Sequence, residues 1–125
     1  MVLFTQSSGV SVIHETVFEN RLGYCEFLKT MGADINLSSA CMGEVACRYR
    51  GLNHTHSAIV RGKTELHGKD FELPQDIRAG KCLLIAGLVA KGQTTLKNIH
   101  ELERKYDSII PKLQSMGADV SFSQS

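Results

Sequence analysis

Met31-Gly32-Ala33-Asp34 returns near the other end of the chain as Met116-Gly117-Ala118-Asp119, and the fold is read outward from that echo. Upstream of each copy lies the same plan. Gly9 opens a β-type run, Ser11 to Thr16, and Arg21 follows; Gly92 opens another, Thr94 to Ile99, and Arg104 follows at the same offset. Behind each arginine come a tyrosine and an amphipathic helix. Tyr24, Phe27, Leu28 and Met31 share one face of the first helix; Ile109, Ile110, Leu113 and Met116 share one face of the second. Each helix stops at a glycine and is expected to lead into a short strand, Asp34–Ser38 and Asp119–Ser123.

The second copy is preceded by Asp76-Ile77-Arg78-Ala79-Gly80 and the apolar run Cys82–Ala90. A helix apolar nearly all round is expected to be buried on several sides. The matching helix of the first copy would lie before Gly9, where Val2-Leu3-Phe4 reads as its last turn. The first repeat is thus expected to be truncated, and the chain to be part of something larger. Ala58–Val60 and Glu65–Leu73 read as further strands, with Gly62 and Gly68 as turns or bulges. The expected division is residues 1–73, a truncated repeat with an inserted loop at 39–57, and residues 74–125, a second repeat.

Composition agrees with a globular α/β chain: 42% apolar and 22% charged residues over 125 positions suffice for a core. A net charge of +1 with no long block of one sign gives neither a nucleic-acid footprint nor a membrane patch. The run Cys82–Ala90 is too short for a bilayer span, which needs about 20 apolar residues, and the first residues lack the order of a signal peptide. A cytoplasmic protein with reduced thiols at Cys25, Cys41, Cys47 and Cys82 is expected.

Three arginines, Arg21, Arg78 and Arg104, are placed at or just before helix starts, where backbone N–H groups and a guanidinium fork suit a phosphate or carboxylate. Taken singly, each is accounted for by a nearby acid: Glu19 for Arg21, Asp76 for Arg78, Glu101 or Glu103 for Arg104. Their recurrence at matching places favours a shared anionic ligand. Asp76 can cap the apolar helix or exchange a proton beside a bound anion, and spacing does not separate the two roles.

Val17-Phe18-Glu19-Asn20-Arg21, Asp76-Ile77-Arg78-Ala79-Gly80 and Glu103-Arg104-Lys105-Tyr106 resemble, as a set, the matching segments of the enolpyruvyl transferases, in the UDP-N-acetylglucosamine 1-carboxyvinyltransferase branch. The resemblance runs from about Phe4 to Val120 and covers only the C-terminal portion of that family's chain. It implies an inside-out α/β fold of βαβαββ repeats, helices inside and sheets outside, of which this chain holds about one and a half. It implies transfer of the enolpyruvyl group of phosphoenolpyruvate to the 3-hydroxyl of UDP-N-acetylglucosamine in peptidoglycan synthesis, with no cofactor. By position, Arg78 and Arg104 match arginines that bind phosphoenolpyruvate. Asp76 matches an acid assisting proton transfer, Val17 matches a residue lining the sugar-nucleotide site, and Arg21 lies close to it. Asp76 and Arg104 are the implied catalytic residues; Arg78, Arg104, Val17 and Arg21 are the implied substrate-binding ones. Activity is expected only with the missing N-terminal portion, or a self-associated partner, in place. The alternative reading is a non-catalytic relic that binds a phosphorylated ligand or a partner. None of the four cysteines matches the family's loop cysteine. Lys105 replaces a usual glycine and Glu103 a usual aspartate.

Cys41, Cys47, His54 and His56 could together supply four zinc ligands. Cys-x5-Cys is wider than the usual gap and His-x-His is unspecific. The sequence therefore reads as a surface or contact loop with no metal, and Cys25 and Cys82 as core or structural thiols.

Overall fold

The computed structural model describes residues 1–123, so the last two positions of the expected second repeat lie outside the described residues. The chain is a mixture of helices and strands, as expected of an α/β protein. It divides into two compact units, Met1–Leu66 and His67–Ser125.

The first unit opens with α1 (Val2–Gln6), the short helical turn read from Val2-Leu3-Phe4, and continues into β1 (Gly9–His14). A 3-10 turn, Arg21–Tyr24, leads into α2 (Cys25–Thr30), β2 (Asp34–Ser38), a long loop and β3 (Ser57–Gly62). The three strands form an antiparallel sheet with β3 in the centre. Ser11, Val60 and Ile35 are in register, as are Ile13, Ala58 and Leu37. Period-two alternation then sends Ile35, Ala58 and Val60 to the buried face and leaves Val10 and Val12 exposed. Leu22, Cys25, Leu28 and Met31 supply the buried side chains of the helical segment. Gly62 has no alternative: a Cβ there would collide with the backbone carbonyls of Ser7 and Phe4, where α1 crosses the end of β3.

The second unit is a right-sized βαβ crossover: β4 (Asp70–Glu72), α3 (Ile77–Val89) and β5 (Thr95–Lys97), the two strands parallel. Parallel neighbours require such a connection, and the apolar helix supplies it. Two short helices, α4 (His100–Tyr106) and α5 (Ile109–Ser115), close the unit. Leu84 of α3, Leu102 of α4 and Ile110 of α5 form its core, with Leu73, Leu96 and Tyr106 packed around them.

Three expectations need correction. Only Asp70–Glu72 of the run Glu65–Leu73 is a strand, in register with Thr95–Lys97 of β5, while His67 makes an isolated parallel bridge to Lys91. Asp119–Ser123 forms no strand: Val120 N–H donates to the Ala118 carbonyl and the Val120 carbonyl accepts from Gln114 Nε2, so its bonds are local. Finally, α3 is not covered all round. Ala79, Leu83, Leu84 and Ala86 are buried, while Ile85, Leu88 and Val89 are exposed.

Candidate functional site

Asp76 caps α3 with extended backbone, and its Oδ1 accepts from the Arg78 N–H at 2.9 Å. The same oxygen lies 3.9 Å from the Arg78 guanidinium. Asp76 and Arg78 therefore form one exposed acid–base pair at the N-terminal end of α3. Arg104 sits on α4, where it pairs with Glu101 at 2.6 Å one turn away. This is the last turn of α4, where a cation meets the negative end of the helix dipole. Arg104 thus stands at the end of α4 and before α5, not at the start of the helix that carries it. Glu103, the neighbour that departs from the family pattern, accepts from the Ile110 N–H and so caps α5. Leu84, Leu102 and Ile110 fix α3, α4 and α5 against one another, so the elements bearing Asp76, Arg78 and Arg104 belong to one packed unit.

Val17 and Arg21 lie in the first unit, in the turn after β1. Glu15 organises that turn: its carboxylate accepts from the N–H groups of Val17 and Phe18 and pairs with Arg21 at 3.7 Å. The acid beside Arg21 is thus Glu15 and not the expected Glu19, which pairs with Arg48 from the long loop at 3.5 Å. The Arg21 guanidinium lies over the Phe18 ring, 3.6 Å from its centroid, a cation–π contact that leaves the Val17 side chain exposed.

A cavity of about 480 Å³ opens in the second unit, bordered among others by Leu83, Leu88 and Ile99 and by the polar Gln93, Thr94 and Asp119. The gap is of mixed polarity and borders Asp119, but none of Asp76, Arg78 and Arg104.

The long loop brings together residues that the sequence spreads apart. His14, Cys41, Cys47 and His56 each present a ligand atom, all within 4.8 Å of one another. His54, grouped with the cysteines by spacing, is replaced by His14 from the end of β1. The antiparallel pairing of His14 with Ser57 sets that histidine beside His56, a juxtaposition that only the strand register encodes. The Cys41 thiol is lowered to about 7, first by the Cys47 backbone N–H donating to its sulfur and then by its thiol–thiol hydrogen bond with Cys47. Cys82, half-covered on α3, is pushed up to about 11 by burial, which makes it an inert packing thiol. Cys25 is fully buried.

Against known proteins, residues 1–113 match the family model of EPSP synthase (3-phosphoshikimate 1-carboxyvinyltransferase). The chain is similar to UDP-N-acetylglucosamine 1-carboxyvinyltransferase of Protochlamydia amoebophila, 46% identical over 97% of this chain and 26% of the relative. It is similar to the protein of the same name from Chlamydia trachomatis serovar D, 45% identical over 95% of this chain and 27% of the relative. That of Halothermothrix orenii is 40% identical over 96% and 25%. Among solved structures, EPSP synthase from Acinetobacter baumannii superposes with a TM-score of 0.64 at 26% identity, covering 91% of this chain and 25% of that one. The chain spans about a quarter of the length of the curated relatives it matches.

Proposed function

The chain belongs to the EPSP synthase family, and from that premise we propose that it forms part of an enolpyruvyl transferase acting on phosphoenolpyruvate and UDP-N-acetylglucosamine. The observation that carries the reading is the match of nearly the whole chain to UDP-N-acetylglucosamine 1-carboxyvinyltransferases. On this reading the two units are pieces of an inside-out α/β domain of βαβαββ repeats, with the truncated repeat spanning residues 1–73 and the next repeat residues 74–125. The exposed face of α3 is covered by the rest of the protein or by a second copy, and the setting is the cytoplasmic stage of peptidoglycan synthesis.

The chemistry of the proposed site follows from what each side chain does. Arg78 and Arg104 hold the phosphate and carboxylate of phosphoenolpyruvate as guanidinium forks. Each is paired with an acid in the chain as it stands, at 3.9 Å to Asp76 and 2.6 Å to Glu101. Exposed ion pairs of this kind are worth about 0–1 kcal/mol, so an anionic substrate displaces them at little cost. Asp76, bound to the Arg78 N–H, is positioned to carry a proton to or from the enolpyruvyl carbon while still capping α3. Val17 lines the sugar-nucleotide site, with Arg21 beside it. Clamping both anions in one geometry converts the encounter into a near-intramolecular reaction.

The test exchanges the matching quarter of the Protochlamydia amoebophila relative for this chain and measures phosphate release from the two substrates. Release is expected. A folded hybrid that binds either substrate without turnover would favour the non-catalytic relic. Asp76→Asn separates capping from proton transfer, since asparagine caps as well as aspartate. Thermal stability should hold while kcat falls about 10²–10⁴-fold; an unchanged kcat leaves Asp76 with its capping role alone.

A further inference from the structure

We propose that His14, Cys41, Cys47 and His56 form a structural zinc site that closes the loop between β2 and β3. The four ligand atoms lie within 4.8 Å of one another, and the two sulfurs are 3.4 Å apart. Tetrahedral coordination with bonds near 2.3 Å to sulfur and 2.0–2.1 Å to nitrogen sets ligand atoms roughly 3.3–3.8 Å apart. The cluster is thus within about an ångström of that geometry.

The histidines point to a ligand independently of the distances. His56 is fully buried, and its Nδ1 lies 2.7 Å from the His54 carbonyl. That bond puts the ring proton on Nδ1 and leaves a lone pair on Nε2, the arrangement by which an outer-shell carbonyl orients a metal-binding imidazole. The Nε2 atoms of both His14 and His56 are buried with no hydrogen-bond partner in the protein. A buried polar atom left unmatched costs about 1–3 kcal/mol, and here two occur beside a pair of thiols. The Cys47 N–H donates to the Cys41 sulfur at 3.5 Å, which favours the thiolate that a metal requires.

Charge and donor type select the ion. Two thiols release their protons as they bind, so two thiolates and two neutral imidazoles around a divalent cation carry no net charge, as a half-buried site demands. A closed set of two sulfurs and two nitrogens in tetrahedral array suits zinc. Four protein ligands leave no open position, so the role is structural. The loop at residues 39–56 needs such a staple: it has no regular helix or strand of its own, and loops of that length are uncommon without a function or a clip. Its Tyr49, buried against the rings of His54 and His56, donates to the Val17 carbonyl at 2.9 Å, and Arg48 donates to the same carbonyl at 3.2 Å. The metal would therefore brace the Val17–Arg21 turn through the loop.

The test uses the 125-residue chain, purified reduced and without added metal, then analysed by elemental mass spectrometry. A single zinc per chain is expected. Cobalt(II) titrated into the metal-stripped chain should give thiolate-to-metal charge-transfer and tetrahedral ligand-field bands. Cys41→Ser, Cys47→Ser, His14→Ala and His56→Ala should each weaken binding by at least about 100-fold, beyond the loss typical of outer-shell changes. His54→Ala should keep its zinc, because the carbonyl that orients His56 remains. Loss of zinc in His54→Ala with retention in His14→Ala would overturn the ligand set. So would a reduced wild-type chain with no zinc or cobalt affinity in chelator competition.

Discussion

The two Met-Gly-Ala-Asp segments fold alike where the chain is local and differ where it is not. In the first, Gly32 N–H donates to the Lys29 carbonyl and Ala33 N–H to the Leu28 carbonyl; in the second, Gly117 donates to Gln114 and Ala118 to Leu113. Both are the same left-handed helix stop, with glycine φ of 110° and 90°. Beyond it they part. Asp34–Ser38 pairs with β3, and Met31 is 1% exposed; the described residues after Asp119 join no strand, and Met116 is 83% exposed. A helix end is written in four residues, whereas a strand and a buried methionine also need a partner surface.

That contrast can be broken by mutation. The largest difference should come from the methionines. Met31→Ala should cost about 2–5 kcal/mol, as for other buried apolar truncations, and Met116→Ala should stay within about 0.5 kcal/mol, as for surface changes. Urea midpoints measure both, and equal costs would mean that Met116 is covered in solution. The glycines should sharpen the comparison from the other side. Gly32→Ala and Gly117→Ala each force a side chain into the left-handed region, at about 1–2 kcal/mol apiece. A large inequality between these two would show that the stop depends on its surroundings.

The same division explains what could be read from the sequence. Asp76 as a cap, the helix behind it, the glycine stops and β1 through β3 follow from spacing and local chemistry. The match to the enolpyruvyl transferases rested on short motifs, and the family comparison bears it out. Long-range register did not show. His14 reaches the Cys41–Cys47 loop only because β1 runs antiparallel to β3, and no local pattern in Ser11-Val12-Ile13-His14 announces it. Proximity in sequence points Arg21 to Glu19, but the turn folds Glu15 back onto it and leaves Glu19 to Arg48. The outer face of α3 reads as core in the sequence because Ile85, Leu88 and Val89 are apolar, yet the described residues leave it open.

The proposed anion clamp is tested most directly by arginine substitution in the hybrid enzyme, with kcat/KM for phosphoenolpyruvate as the readout. Arg61, on the outer face of the first sheet and paired with Asp34 at 3.4 Å, is the control. Arg104→Ala and Arg78→Ala should each lower kcat/KM by about 10²–10³-fold, the scale of losing one preorganised charge at a reacting group, with Arg61→Ala near wild type. Wild-type turnover in the Arg78 and Arg104 variants would contradict the account.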